Sequence, residues 1–209
     1  MFKVLCLITL ALVAQCKIGT LIPPPDKITE DNAKCLIGAK HTFINIRGSQ
    51  VSGKADPAVV SNAAAAKSAG FTDVDLIFAP CLPCAASEQT TEFINAVKTI
   101  AYARIWVVID VPGWREFKAF NQAYLEELIG LLQKTGKKVG MLTSKFSWED
   151  NFGASYSGAS KLDLMYENLN KDPSFGDFKP FGGWKTPFAK HYESGASVCT
   201  FKMEMVFKP

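Results

Sequence analysis

The chain has 209 residues, of which 48% are apolar, 21% are charged and 11% are aromatic. This length fits one domain and this composition can bury a sizeable core, which excludes a wholly disordered chain and a collagen-like repeat. The formal net charge of +3 comes from 23 basic and 20 acidic side chains. Because these charges are dispersed rather than gathered in a basic patch, the sequence predicts no nucleic-acid partner.

The amino terminus has the pattern of an export signal. Lys3 precedes an apolar stretch over residues 4–14, which is too short to span a bilayer and matches the hydrophobic region of a signal peptide. We predict a signal peptide over residues 1–16 with cleavage after Cys16, and cleavage after Ala14 is the alternative. A buried helix fits this stretch less well because it has no polar face. The mature chain is therefore expected to be secreted or lumenal, without a membrane span.

Export places the remaining cysteines in an oxidising compartment, where disulfides are the default. An even set of cysteines follows the signal and permits three pairings: Cys35, Cys81, Cys84 and Cys199. We favour a local Cys81–Cys84 bridge, with a Cys35–Cys199 bridge that ties the two ends of the mature chain together.

The Cys81-Leu-Pro-Cys84 segment also has the spacing of a redox or zinc motif. A tetrahedral zinc site would need two further ligands, and the only histidines are His41 and His191. We therefore predict no metal ion and no cofactor, and we treat both histidines as structural or surface residues.

Strands and helices alternate along most of the chain. A proline-rich segment at Pro23–Asp26 favours an extended lead over residues 17–34, ahead of a domain over residues 35–209. The Ile105–Ile109 run is apolar throughout, which is typical of a strand buried on both faces of a parallel sheet. The elements predicted up to residue 142 are strand 41–46, a helix from Asp56-Pro57 to Gly70, strand 74–79, a helix from Ser87, strand 105–109, a helix over 117–132 closed by Gly136, and strand 138–142.

Beyond Ser144 the pattern weakens. Residues 162–166 and 198–207 have the apolar content of strands, and no long helix is evident between them. Successive strand–helix units predict a parallel α/β fold. The residues alone thus indicate a barrel or an open parallel sheet, followed by a strand-rich carboxyl end.

In such folds the functional site lies beyond the carboxyl ends of the strands, where the loops converge. Asp110 directly follows the Ile105–Ile109 run and leads into the turn Val111-Pro112-Gly113-Trp114. Apolar surroundings at this position would raise the pKa of the carboxyl group and suit it to proton donation. The alternative is that Asp110 only ends the strand or caps the next turn.

Three other polar side chains occupy similar positions. Glu204 lies between Met203 and Met205 in the last predicted strand, and alternation places it opposite both, either facing the site or solvated. Asn45 and Tyr166, each near the end of a predicted strand, are further candidates to point into the site. We take Asp110, Glu204 and Asn45 as the catalytic candidates.

Aromatic rings are the second group of candidates, because they can stack on sugar rings. Trp114, Trp184 and Tyr166 are the predicted substrate-binding residues, although a buried Trp is more often part of the core. The sequence has no nucleophile-elbow serine, phosphate-binding glycine loop or zinc helix motif.

Taken together, these segments resemble glycoside hydrolase family 25, the muramidase-type lysozymes, and especially the branch that includes nematode and protist members. The resemblance covers most of the mature chain. It implies a modified TIM-like β/α barrel, an exported protein and cleavage of the muramic acid–glucosamine linkage of peptidoglycan. The matching segments are Phe43–Gln50, Ala55–Pro57, Ala69–Asp75, Ala79–Cys81, Ile105-Trp106, Phe181–Trp184 and Lys190–Tyr192.

The resemblance also implies substitutions at the catalytic positions. Family members carry an Asp-x-Glu pair where this chain has Val108-Ile109-Asp110. Asp110 therefore matches the acid, and Val108 replaces its partner. Asn45 is the best match to another family Asp, and Lys202 replaces an acid in the last strand, where Glu204 remains.

Glycosidases need a general acid and a second carboxylate, and Val108 replaces the second one here. Two functions therefore stay open. The first is a secreted lysozyme-like muramidase with weak activity, in which Asp110 is the acid. The second is a non-catalytic barrel that binds a glycan or a protein in the groove that corresponds to the active site of the family. The expected partner is peptidoglycan or a related amino-sugar glycan, and the protein is expected to be a monomer.

Overall fold

The computed structural model describes residues 16–23 and 27–209. Eight strands in these residues form one closed barrel, in which neighbours along the chain are neighbours in the sheet. The elements are β1 (Lys17–Ile22), α1 (Glu30–Gly38), β2 (His41–Arg47), α2 (Val59–Ala69), β3 (Val74–Phe78), α3 (Ala86–Val97), β4 (Arg104–Val108), α4 (Lys118–Gln133), β5 (Lys138–Thr143), α5 (Lys145–Phe152), β6 (Asp163–Glu167), β7 (Ala189–Val198) and β8 (Phe201–Lys208).

Strands β1 to β7 are parallel to one another, and β8 is antiparallel to both of its neighbours, β7 and β1. The predicted modified TIM-like α/β barrel with a strand-rich carboxyl end is confirmed. Most of the strand predicted over residues 198–207 is β8, but β7 was not predicted, so the expected start of the strand lies at the turn of a β7–β8 hairpin. Cys199 and Thr200 form its turn with positive φ angles of 55° and 70°, and neither is the Gly or Asn that signals such a turn in a sequence.

The barrel begins earlier than the sequence predicts. Residues 17–22 were expected to belong to an extended lead, and they form β1, which pairs with both β2 and β8. This strand closes the barrel, so the lead over residues 17–34 belongs to the domain rather than preceding it. The predicted signal peptide at residues 1–16 and the proline segment at 23–26 lie mostly outside the described residues.

Two helix boundaries differ from the prediction for local reasons. The helix expected at Asp56-Pro57 begins at Val59, because the Asp56 side chain accepts a hydrogen bond from the Ala58 N–H at 2.8 Å in the preceding turn. Helix α5 was not predicted. It has only eight residues and begins where the Ser144 hydroxyl caps the Ser147 N–H.

Alternation along the strands divides the apolar side chains into two cores. One set packs between the barrel and its helices, and the other fills the barrel interior, so the central strands are buried on both faces. The interior core consists of Leu21, Phe43, Ile77, Trp106, Leu142, Met165, Ala189 and Val206.

Charged side chains close the amino-terminal end of the barrel. Arg104 forms ion pairs with Asp75 at 3.4 Å and Asp163 at 2.7 Å, and Lys208 pairs with Asp73 at 3.2 Å. The Trp106 indole N–H donates to Asp75 at 3.1 Å. Because these groups occupy this end, polar side chains in contact with a ligand are expected at the opposite end, where the parallel strands finish.

Both predicted disulfides are confirmed. Cys81 pairs with Cys84, and Cys35 of α1 pairs with Cys199 at the tip of the β7–β8 hairpin. Such bridges are typical of proteins from oxidising compartments. No helix among residues 16–23 and 27–209 is long and apolar enough to cross a membrane.

The Cys35–Cys199 bridge should contribute most to stability. It joins residues 164 positions apart, so the double variant Cys35→Ser, Cys199→Ser should lose about 3–5 kcal/mol of unfolding free energy on the chain-entropy model. The matched control is Cys81→Ser, Cys84→Ser, whose bridge spans three positions and should matter much less. Urea unfolding of both variants measures the difference, and equal losses would contradict the expectation.

Candidate active site

Four titratable side chains, three from strands and one from the loop after β4, meet at the carboxyl-terminal mouth of the barrel. Glu167 ends β6 and pairs in register with His191 of β7. Because Met165 faces the interior core, alternation turns Glu167 inward as well. Asp110 follows β4, and Glu204 lies in β8. We call these four residues the mouth cluster.

His191 lies at the centre of the mouth cluster and is only 7% exposed. Its Nδ1 is 2.8 Å from a Glu167 carboxylate oxygen, and its Nε2 is 2.9 Å from a Glu204 oxygen. Burial alone would lower the pKa of His191, but hydrogen bonds to both carboxylates raise it to about 9. The ring is therefore an imidazolium at neutral pH and donates to both acids.

Glu204 is ionised and held in place. Burial would raise its pKa, but hydrogen bonds from His191 and from the Ser194 hydroxyl, at 3.1 Å, hold the pKa below its usual range. Met203 is buried in the core outside the barrel, so alternation directs Glu204 inward to the mouth cluster. The alternative of a merely solvated Glu204 is wrong.

Asp110 has the opposite shift. Burial raises the pKa of its carboxyl group, and the charge of Glu167 and a hydrogen bond with Glu167 raise it further. When protonated, Asp110 can donate this hydrogen bond to Glu167, whose side chain also accepts from His191. Val108, two residues earlier, packs against the interior core, so the position beside Asp110 is apolar as expected.

The mouth cluster thus places a carboxyl group of raised pKa, Asp110, beside a second acid, Glu167. Asp110, Glu167, His191 and Glu204 form one line of contacts, in which the His191 imidazolium lies between the Glu167 and Glu204 side chains and Asp110 contacts Glu167. The Asp110 carboxyl group can protonate a leaving-group oxygen, and a carboxylate can stabilise positive charge on a sugar ring. This is the pair of functions that glycoside hydrolysis requires.

The other predicted catalytic residue, Asn45, lies deeper in the barrel. It is 0% exposed, and its side-chain N–H donates to the Thr20 carbonyl at 3.1 Å. The Thr20 hydroxyl in turn donates to the Glu204 backbone carbonyl at 3.0 Å. Asn45 therefore supports the strand beside the mouth cluster and is not placed to touch a ligand.

Of the predicted substrate-binding rings, two lie away from the mouth. Tyr166 faces outward from β6, packs edge-on against Phe178, and has its hydroxyl 3.4 Å from Asp177. Trp184 is buried against Trp148 outside the barrel and donates to the Leu162 carbonyl. Their assignment to the site is wrong because strand alternation directs one outward and the core encloses the other.

Trp114 lies at the same end of the barrel as the mouth cluster. Its indole N–H donates to the Ile109 carbonyl at 2.8 Å, directly before Asp110, and its ring is half-exposed. This position keeps Trp114 as a candidate for ligand contact.

The raised pKa of His191 predicts a pH dependence of stability. The charged ring is favoured in the folded state, so its contribution is complete below about pH 6.5 and is lost as pH rises through about 9. A shift of this size corresponds to about 3 kcal/mol. Urea unfolding from pH 6.5 to 9.5 should show this decrease in the wild type and not in His191→Gln. Parallel pH profiles for the two proteins would contradict it.

Comparison with known proteins identifies the family of this barrel. A family model described as lysozyme-like protein 1 matches residues 15–192. The probable GH family 25 lysozyme 4 of Dictyostelium discoideum is 35% identical over 169 residues, which cover 79% of each chain. The chain belongs to glycoside hydrolase family 25.

Other relatives extend this family 25 assignment over the whole barrel. Lysozyme-like protein 5 of Caenorhabditis elegans is 28% identical over 214 residues, covering 100% of this chain and 99% of the relative. The muramidase of Acremonium alcalophilum superposes with a TM-score of 0.72 at 11% identity, covering 92% of this chain and 93% of the other. At that identity the superposition demonstrates a shared fold.

Two members of the mouth cluster of this family 25 protein were missed by sequence reasoning. Glu167 directly follows the apolar pair Leu164-Met165 and Tyr166, so the signal that identified Asp110, an acid at the end of a buried strand, could have identified it. His191 was treated as structural or surface; it is buried rather than at the surface and contacts both Glu167 and Glu204. No local pattern marks His191, because its two partners lie 24 and 13 residues away along the chain.

Proposed function

We propose that this family 25 protein is a secreted glycoside hydrolase that cleaves the muramic acid–glucosamine linkage of peptidoglycan or a related amino-sugar glycan. The observation that carries the proposal is the pairing of two acids at the barrel mouth, where the Asp110 carboxyl group lies beside Glu167 and has a raised pKa. A raised pKa shifts a carboxylic acid toward the protonated form that a general acid requires.

In the proposed reaction Asp110 donates its proton to the oxygen of the glycosidic bond as that bond breaks. Positive charge develops on the sugar ring, and the Glu167 carboxylate stabilises it. The resemblance to family 25 implies that the acetamido group of the substrate itself serves as the nucleophile. Water then completes hydrolysis, and Glu167 or the deprotonated Asp110 accepts its proton.

His191 and Glu204 act on Glu167 rather than on the sugar. The His191 imidazolium donates to Glu167 at 2.8 Å and so fixes the position of this side chain beside Asp110. Glu204 holds the other ring nitrogen at 2.9 Å. In the family pattern the second acid lies in β4, at the position that Val108 occupies here. Glu167 provides this second acid from β6 instead.

A non-catalytic barrel that binds the same glycan is the second candidate. The observation that favours it is Val108, which places an apolar side chain on the same face of β4 as Asp110. Asp is also one methylene shorter than the family's Glu, and a misplacement of about 1 Å can cost about a hundredfold in rate. Binding without turnover is the result that this candidate predicts.

The deciding experiment uses the processed protein recovered from a secreting host. Clearing of a bacterial cell-wall suspension measures lysis, and mass spectrometry of the soluble products identifies the new reducing ends. Muramic acid at those ends supports the proposal. Sedimentation of the protein with cell walls that stay intact would reject hydrolysis and favour the binding barrel, and neither lysis nor sedimentation would reject both.

A further inference from the structure

An acid in the loop between β6 and β7 is bonded to both strands that carry Glu167 and His191. Asp177 accepts a hydrogen bond from the Lys190 ammonium at 2.6 Å and from the Asn168 side-chain N–H at 2.5 Å. Asn168 directly follows Glu167, and Lys190 directly precedes His191. One carboxylate therefore holds the chain neighbours of both partners in the Glu167–His191 contact.

These bonds lie on the outer face of the two strands. Tyr166 pairs in register with Lys190, as Glu167 does with His191. Because Glu167 and His191 face the mouth, alternation turns Tyr166 and Lys190 outward. The outer pair and the inner pair belong to the same two strands, so a displacement of β6 against β7 would move both.

The bond between Asp177 and Lys190 joins a buried cation to its acid. The Lys190 side chain is 0% exposed, and Asp177 is the one acid in the described part of the chain that forms an ion pair with it. Burial would raise the pKa of Asp177, but hydrogen bonds from Lys190 and Asn168 hold the pKa below its usual range. Loss of this acid would leave a buried charge uncompensated, which is strongly unfavourable.

The loop that carries Asp177 is itself attached to these strands. Phe178, the next residue, packs edge-on against Tyr166 with the ring centres 5.1 Å apart. The Lys171 N–H donates to the Tyr192 carbonyl at 2.8 Å, which continues the contact of the loop with β7. Asp177 is therefore presented to Lys190 by an anchored segment.

We infer that Asp177 is a positioning residue, which holds Glu167 against the His191 ring by fixing β6 relative to β7. It acts from the outer face of the barrel and is not a catalytic residue. The inference rests on the proposed function for the role of Glu167 in hydrolysis, whereas the Glu167–His191 contact can be measured without any activity.

The test is an NMR titration of the histidine ring signals in Asp177→Asn. The chain has two histidines, and His191→Gln identifies the signals of His191. Two acids face this ring, Glu167 from β6 and Glu204 from β8, and hydrogen bonds to them raise its pKa to about 9. Asp177→Asn keeps both acids but should lower the pKa of His191 by about 1, because the hydrogen bond to Glu167 loosens. An unchanged pKa of His191 would overturn the inference.

A second variant separates position from charge. Asp177→Asn leaves the Lys190 ammonium without its acid, and this unpaired charge would by itself lower the pKa of His191. The double variant Asp177→Asn, Lys190→Met removes both charges and keeps the net charge. A pKa of His191 that stays low in the double variant supports the inference, and a return to the wild-type value would overturn it. The double variant also provides the test if Asp177→Asn does not fold.

Asp163→Asn is the matched control. Asp163 begins β6 and pairs with the buried Arg104 at 2.7 Å, at the opposite end of the barrel. Both substitutions remove an acid from a buried cation on the same strand, so both should destabilise the fold in urea. Only Asp177→Asn should lower the pKa of His191, and an equal decrease in Asp163→Asn would overturn the inference.

These outcomes separate the role of Asp177 from the hydrolase proposal. A wild-type protein that cleaves no cell walls rejects the hydrolase, while the titration still decides the role of Asp177. In a protein that cleaves cell walls, displacement of Glu167 in Asp177→Asn should lower the rate of lysis at least about tenfold. Wild-type lysis by this variant would overturn the inference and leave the hydrolase in place.

Discussion

Replacing Asp110 by Asn is expected to lower the rate of cell-wall lysis by about 10²–10⁴-fold, the usual contribution of a general acid. The amide has nearly the shape of the carboxyl group but has no acidic proton to transfer to the leaving oxygen. Burial and the neighbouring Glu167 raise the pKa of Asp110, so the wild-type activity should also fall at high pH as this group loses its proton. Initial rates of clearing across the pH range measure both effects.

Asp150→Asn is the control for this substitution. Asp150 is an exposed carboxylate of α5, and its neutralisation changes the net charge by the same amount. Lysis by this variant should stay within about twofold of the wild type, as is usual for a surface substitution. If Asp110→Asn lyses cell walls at the wild-type rate, Asp110 is not the general acid. Another member of the mouth cluster would then have that role, and Glu204 is the next candidate.

Replacing Glu167 by Gln should have the second largest effect, a decrease of about 10²–10³-fold in lysis, because one preorganised charge beside the reaction is removed. The same change takes away the negative charge that raises the pKa of Asp110. The pKa of Asp110 should then fall, and the high-pH limb of the rate profile should move to lower pH. The pH dependence of lysis by Glu167→Gln measures this displacement.

Glu193→Gln is the matched control for Glu167→Gln. Glu193 is a half-buried acid of β7 whose carboxylate pairs with Lys171 at 3.7 Å, outside the mouth cluster. Its neutralisation should leave the position of the high-pH limb unchanged. A Glu167→Gln variant that lyses cell walls slowly but keeps the high-pH limb of its rate profile at the wild-type pH would mean that Glu167 does not act on the pKa of Asp110.

The mouth cluster also explains how the apolar Val108 is compatible with a working site. In the family pattern, two acids two residues apart lie on one face of a single strand. Here the acid partner comes from another strand, because Glu167 of β6 reaches Asp110 across the mouth. The candidate site therefore contains a second acid although Val108 is apolar.

The sequence by itself determined the features that depend on neighbouring residues. Apolar alternation and helical spacing located strands β2 to β6 and helices α2 to α4, although α2 begins two residues later than predicted. The position of Asp110 after an apolar run identified the candidate acid for the same reason. The two disulfides follow from the even set of cysteines and the short spacing of Cys81 and Cys84.

Only the tertiary structure decided what closes the barrel and what surrounds the acid. Residues 17–22 become a strand because β2 and β8 offer edges on both sides, which a local pattern does not contain. The direction of each pKa shift at the mouth depends on burial and on charges far along the chain. Glu167, His191 and Glu204 are brought together because closure of the sheet places β6, β7 and β8 side by side.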